Sequence, residues 1–549
     1  MNGDTRTDAS AILTGLAEKI AQVAPPGWKR AVLRGYATGH GGAGHHGFWF
    51  EPKDLNGDDN IDVFEGLRDL HTTVAATGKL TVDLEVEARG RYRAVLSERL
   101  DRGRDRGFYY LFDKESEPPE IDRLAAAPDA AESGDPGEAV ALLTEYHQLL
   151  GQLLESKYVE LSAPLPPSRR RQILDDAGVR LPRDLDALYA VADGGLLLHG
   201  FLWFGLETLA EFCDPDARWW VMRGWQRYLH NSFVNDFGPP AAIRRLSDHP
   251  AWVPFATDGF GDYLAVDLVP GPNGRPGQVI LIGRHQDEGP IYVADSVTEL
   301  VRAHVQAFTS GRIEQSDDGN VRIDSGDLYE YKRPYDDICK LKVTGMDAAP
   351  VRGMRAVVRE LSVSNTPWVD LGPVRGAPAL WKVAVSNCAG VDLSPLSETP
   401  VEVVHLATDT IDLSGLQGHP TVGQVVLRSE KPIDLRPLAS CPRLYALDLT
   451  DAPAVDISGL GQLTGLRYLR MLRPQWQEFL SQQAIPPSLA VAELAEEPLQ
   501  ERKLYWSFDK AYEKRRPTLP DALEWAEKLT GNATDIVTIK GKFKPSRHR

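Results

Sequence analysis

Five segments in the C-terminal half of the chain line up on one aspartate. Written as WVDLGPVRGAPALWKVAVSNC, GVDLSPLSETPVEVVHLATDT, TIDLSGLQGHPTVGQVVLRSEK, PIDLRPLASCPRLYALDLTDAP and AVDISGLGQLTGLRYLRMLR, they set Asp370, Asp392, Asp412, Asp434 and Asp456 in register at intervals of 22, 20, 22 and 22 residues. A period of that length holds one short strand and a return turn, too little to bury its own leucines. Such units must stack, each adding a strand to one parallel sheet. The spacing predicts strands at 381–385, 402–406, 424–427, 445–449 and 468–471, with Leu435, Leu438 and Leu447 turned inward.

The pattern D-[LI]-x-x-L followed by L-x-x-L-x-L resembles leucine-rich repeats of the internalin-like or SDS22-like kind. That resemblance implies a solenoid over residues 351–473 whose extended concave face binds proteins rather than catalysing reactions. Helical periodicity at 476–483, 489–496, 500–514 and 519–529 predicts a helical cap over 474–530, since the open end of a repeat array must be covered. A basic tail, 531–549, is expected to be disordered.

A second constraint lies upstream. The stretch WVPFATDGFGDYLAVDLVPGPNGRPGQVILIGRHQDEGPIYVADSVTELVRAHVQAF, 252–308, alternates apolar and polar residues on both sides of a Pro- and Gly-rich connection, which predicts a hairpin, then a third strand and a closing helix. Before it, LPRDLDALYAVADGG at 181–195 predicts a short amphipathic helix ended by a glycine pair. These pieces, with Leu181, Pro182, Gly194, Gly195, Trp252, Asp262, Asp267, Gly277 and Gln278 in order, resemble the SUKH superfamily, known through the Smi1/Knr4 family, over about 137–310. Bacterial members are typically immunity proteins, so the resemblance implies a module that binds and silences a toxin.

The first module, 1–124, opens with an amphipathic helix at 10–23, a PPGW stop and strand-like segments at 30–36, 47–50 and 79–87, with a helix at 63–76. It loosely resembles YezG-like immunity proteins. Its His40, His45 and His46 are close in sequence, but adjacent residues of a strand face opposite ways, so the favoured reading is a hairpin tip rather than a metal site. The acidic run at 54–62 lacks the spacing of a calcium loop. Residues 125–136 form a linker rich in Ala, Pro and acid, and 311–350 form a connector.

The expected fold is therefore multidomain α+β: an N-terminal α+β module, a SUKH α+β domain, and a leucine-rich repeat solenoid with a helical C-terminal cap. A chain of 549 residues with 42% hydrophobic residues can bury several cores. Its net charge of −17 is ill suited to direct nucleic-acid contact, so a basic protein partner is expected. The cysteines Cys213, Cys339, Cys388 and Cys441 show no ligand or disulfide spacing, and the opening residues show no signal or membrane segment, which points to the cytoplasm. The chain shows no GxSxG, HExxH or Walker motif, so no enzyme activity, no metal and no cofactor is expected.

Two functions follow. One is a polyimmunity protein that blocks toxins of nuclease or deaminase type by occluding a basic active-site groove. The other is a regulatory scaffold whose repeats recruit client proteins. The expected partner-binding residues are Asp214, Asp216, Asp258 and Asp262 for electrostatic steering, with Trp219 and Trp220 as anchors in the Trp- and Arg-rich segment 218–228, although that composition is also, and more often, that of a helix packing one aromatic face on a sheet.

Overall fold

The protein is described by a computed structural model over residues 3–39, 42–52, 61–103, 107–114, 116–119, 132, 134–153, 161–195, 197–198, 201–218, 221, 224–315, 321–323, 340–345, 356–482, 484–495, 517–531 and 536–544. His40, most of the acidic run 54–62, Trp219, Trp220, Cys339 and the helix expected at 500–514 lie outside these residues. The chain divides into two compact units: residues 1–116 with 423–549, and 117–422. This division cuts across the boundaries drawn from the sequence, because each unit takes part of the repeat array.

In the first unit, a five-stranded antiparallel sheet runs in the order Ala43–Glu51, Arg30–Ala37, Leu80–Glu87, Arg91–Ser97, Ile536–Lys542. Helices Gly3–Gln22 and Phe64–Thr73 cover one face, burying Leu13, Leu16, Ile20, Leu67 and Leu70 against Leu33, Leu84 and Ile539. His45 and His46 do face apart: His46 stacks on Tyr36 at 4.7 Å and His45 on Phe64 at 6.3 Å.

The fifth strand corrects the expectation of a disordered tail. Its lysines hid an alternation, with Ile539 buried on the helix side and Lys540 and Lys542 exposed. A strand half-covered on one face tolerates basic residues on the other.

The same unit holds four parallel strands, Gln424–Arg428, Ala446–Asp451, Tyr468–Met471 and Val491–Leu494. The last was expected to be helical. Val491, Ala492 and Leu494 are buried, and Val491–Leu494 pairs antiparallel with Phe108–Leu111, which in turn pairs with Leu100–Arg102. A ladder partner on each side overrides a helical pattern only a few residues long. The sheet edge is thus covered by strands of the N-terminal segment. Helices Arg473–Gln482 and Leu519–Thr530 pack beside it through Trp476 and Trp525, with ring centroids 5.7 Å apart.

In the second unit, helices Pro136–Leu153, Arg183–Val191 and Val297–Thr309 pack on a six-stranded antiparallel sheet ordered Ile291–Ala294, Gln278–Gly283, Asp262–Asp267, Trp252–Thr257, Phe201–Trp203, Leu197–Leu198. The predicted hairpin is its centre, paired from Asp262 opposite Gly283 to Asp267 opposite Gln278. Four parallel strands follow, Lys340–Thr344, Glu360–Ser364, Lys382–Cys388 and Val403–Thr408.

The aspartate register has a structural cause. In all five repeats the carboxylate accepts the backbone N–H two residues on, from Gly372, Ser394, Ser414, Arg436 and Ser458, at 2.8 to 3.0 Å. Each bond sits at the start of a 3₁₀ helix of three to six residues, the return segment that brings the next strand back into line. The residue after the aspartate, Leu371, Leu393, Leu413, Leu435 or Ile457, is buried beneath the turn.

Candidate functional site

The motif residues that carry the family resemblance prove to be the fixings of the hairpin domain. Pro182 precedes helix Arg183–Val191, and Asp184 in its first turn is buried, accepting the Thr298 N–H at 3.0 Å and the Thr298 hydroxyl at 3.1 Å from the closing helix. Burial pushes that carboxyl up. Gly194 has φ +84°, and a Cβ there would stand 2.7 Å from the Phe204 carbonyl carbon, so the chain turns there only as glycine. Gly195 donates to the Trp203 carbonyl at 2.8 Å.

At the far end of the hairpin, Gln278 donates to Asp267 and to the Ala242 carbonyl, both at 2.9 Å, while Gly277, φ +90°, donates to the Asp267 carbonyl at 2.8 Å. Burial pushes the Asp267 carboxyl up to about 6. With Leu181 and Trp252 buried alongside, this set supports the sheet rather than facing solvent.

The turn that joins strand Trp252–Thr257 to Asp262–Asp267, the hairpin's first strand, has another character. Asp258 accepts the Phe260 and Asp262 N–H groups at 2.7 and 2.9 Å, and Asp262 accepts the His285 N–H and the Gln286 amide, both at 2.9 Å. These bonds fix a tight loop whose tip is Phe260, 75% exposed. Asp262, by contrast, is buried. Its carboxylate is taken up by the loop and presents no charge to an incoming partner, which corrects its expected steering role. Asp258, half-buried, is likewise bonded to the loop.

Among the described residues, Asp258, Asp262 and His285 offer oxygen and nitrogen atoms within 4.8 Å of one another, but the two carboxylates already serve the turn. Asp214 is exposed after helix Leu206–Cys213, and Asp216 lies in the 3₁₀ turn Pro215–Ala217. Of the Trp- and Arg-rich segment, Arg218 is buried, donating to the Phe212, His249 and Trp252 carbonyls and pairing with Asp248. Trp225 packs on Tyr228 at 5.3 Å in helix Gly224–His230. Arg218 and Trp225 are therefore core, not interface.

No local pattern in the chain marks the contact between the hairpin domain and the first repeats. Loop 231–245 lies on the residues that lead the parallel strands. Arg359 is buried against Asp236 at 2.8 Å and also donates to the Asp236 and Gly238 carbonyls. Arg245 meets Glu402 at 3.1 Å with its guanidinium 3.9 Å above the Trp381 ring. Lys382, paired with Glu360 at 2.9 Å, stands 3.6 Å over Phe233, and burial pulls its ammonium down. Domain and repeats are joined by desolvated cations, each with an acidic partner and two of them also over an aromatic ring.

Residues 171–303 match the model of the SMI1 / KNR4 family (SUKH-1). A glucan synthesis regulatory protein of Neurospora crassa is 41% identical over 98 residues, 18% of this chain and 18% of its own. The cell wall biosynthesis/cell cycle regulator smi1 of Schizosaccharomyces pombe is 37% identical over 158 residues, 26% of this chain and 31% of its own. The matches thus span less than a third of each relative's length. An internalin C2 from Listeria monocytogenes is similar at 18% identity over 24% of this chain and 59% of its own, with a TM-score of 0.21. Among the described residues no helix is long and apolar enough to cross a membrane. The hairpin domain that grips the first repeats is thus a SMI1/KNR4 (SUKH-1) domain.

Proposed function

We propose that the protein is a non-catalytic scaffold that controls a partner protein by stoichiometric occupation, with the SUKH-1 domain and the first repeats acting as one binding body. The observation that carries this reading is the joint at Arg359, Arg245 and Lys382. A domain held to a repeat array by buried or largely buried, paired cations is pre-organised for binding, because little orientational freedom remains to be lost when a partner docks. Relatives of this chain are named as regulators, which supports regulation of a client. A second reading, neutralisation of a toxin with a basic groove, is favoured by the net charge of −17 and by the exposed Asp214. On either reading the protein works in the cytoplasm.

Affinity capture with the full chain, followed by mass determination of the purified complex, tests the proposal. A complex of fixed stoichiometry that changes the partner's activity is expected. Substrate turnover by the chain alone, or capture with no fixed ratio, contradicts it. A captured nuclease or deaminase selects the second reading over the first.

A further inference from the structure

The C-terminal strand Ile536–Lys542 is the outer strand of its sheet among the described residues. Its register sets Lys540 opposite Arg93 and Lys542 opposite Arg91, on the face turned away from the helices. Like charges placed directly opposite destabilise a sheet, and four cations in a square do so twice. The neighbouring strand carries Glu85 and Glu87 opposite Arg93 and Arg91, but Glu85 is engaged by Arg30 at 3.5 Å. Among the described residues no ion pair reaches Arg91, Arg93, Lys540 or Lys542, and Arg93 Nε is buried without a hydrogen-bond partner. Arg89 and Lys544, both exposed, extend the cluster at one end. In a chain of net charge −17, four cations stand side by side along this one strand edge.

The backbone of that edge is also open. Arg6 donates to the Thr538 carbonyl at 3.0 Å from outside the ladder, so the alternate residues 538, 540 and 542 turn their N–H and C=O groups away from the neighbouring strand. Arg6 covers Thr538. Lys540 and Lys542 show no such cover among the described residues. Lysines on an edge strand often serve only to block pairing, but a lone blocking lysine does not require three more cations on the same face.

We propose that this edge receives an extended acidic peptide segment of a partner protein as an added strand. Its backbone would pair with residues 540–544, and its carboxylates would meet Arg91, Arg93, Lys540 and Lys542. A peptide fits better than a nucleic acid, because the open groups are strand donors and acceptors and the rest of the acidic chain repels a long phosphate backbone.

The test uses the full chain and a fluorescent heptapeptide of alternating glutamate and valine. Anisotropy should show binding that weakens with salt and falls about tenfold or more in Lys540→Glu/Lys542→Glu, with an unchanged melting temperature. Should that variant misfold, the neutral pair Lys540→Gln/Lys542→Gln should bind several-fold more weakly. The same peptide N-methylated at alternate residues keeps its charge and loses its strand donors, and should not bind. Equal binding of the methylated peptide, equal binding of a short single-stranded RNA, or no binding of the heptapeptide overturns the proposal.

Discussion

Arg359 and Asp236, 123 residues apart in the chain, meet as a buried ion pair at 2.8 Å and so join the SUKH-1 domain to the first leucine-rich repeats. Burial pushes the Asp236 carboxyl up while Arg359 draws it down, as expected where a charge is kept only by its partner. Removing one member leaves the other charged and dry. Arg359→Leu alone should cost about 3–5 kcal/mol, whereas Arg359→Leu with Asp236→Leu should cost less than the single change. Denaturant unfolding of the four members of the cycle checks this, and a double variant no more stable than the single would contradict it.

Leu447 is fully buried on the strand Ala446–Asp451, in register with Val425 and Leu469 on either side. Leu447→Ala should lower stability by about 2–5 kcal/mol, since neighbouring units cannot collapse into the space without losing ladder bonds. A melting curve of the full chain that kept every transition in place would rule out the register.

The repeated aspartates act through the turn N–H. Asp392, whose carboxyl is held down by its bonds to the Ser394 N–H and hydroxyl, should cost about 1 kcal/mol when changed to Ala and much less when changed to Asn, which keeps the acceptor. Thermal unfolding of the two variants side by side distinguishes turn geometry from charge.

His304 in helix Val297–Thr309 is buried, bonded to the Leu300 carbonyl, and its imidazole is pulled down to about 4. The unfolded chain takes up a proton below about pH 6.5 that the fold refuses. Stability should therefore fall as pH drops from about 6.5 to 4 and level off below, by about 3 kcal/mol in all. Asp267 acts in the other sense: held up to about 6, its acid form is favoured by the fold, and stability is lost as pH rises from about 4 to 6. The two partly cancel in the native protein, so the readout is the difference between wild type and His304→Gln. That difference should shrink and then change in favour of the variant as the medium is acidified from pH 7 to 4. A constant difference would mean that His304 is protonated in the fold.

Much of the fold was legible where side chains repeat at short range. The aspartate register located the starts of the repeat strands to within one residue, because each Asp bonds a group two positions away. The motif from Trp252 to Gln278 located the hairpin for a similar reason. What the sequence hid was long-range. Arg245 and Glu402 are 157 residues apart, and neither Glu402 nor Trp381 differs in local pattern from an ordinary strand-leading residue. The C-terminal strand was hidden because its partner lies at Arg91–Ser97, and the strand at Val491–Leu494 because a few apolar residues suit a helix as well as a buried strand. In the candidate site, charge alone pointed to Asp262, while burial removes it and leaves Phe260 as the exposed group of the same turn.

The most direct measurement of the scaffold reading is the binding kinetics of the captured partner on the immobilised full chain, wild type against Phe260→Ser. Phe260 stands 75% exposed on a turn fixed by Asp258 and Asp262, so its truncation should leave the melting temperature in place. As an apolar anchor it should speed dissociation and weaken affinity about thirtyfold or more, the loss expected of an interface hot spot. Dissociation unchanged by Phe260→Ser and also by Asp214→Lys would place the partner away from the exposed end of the SUKH-1 domain and contradict the account.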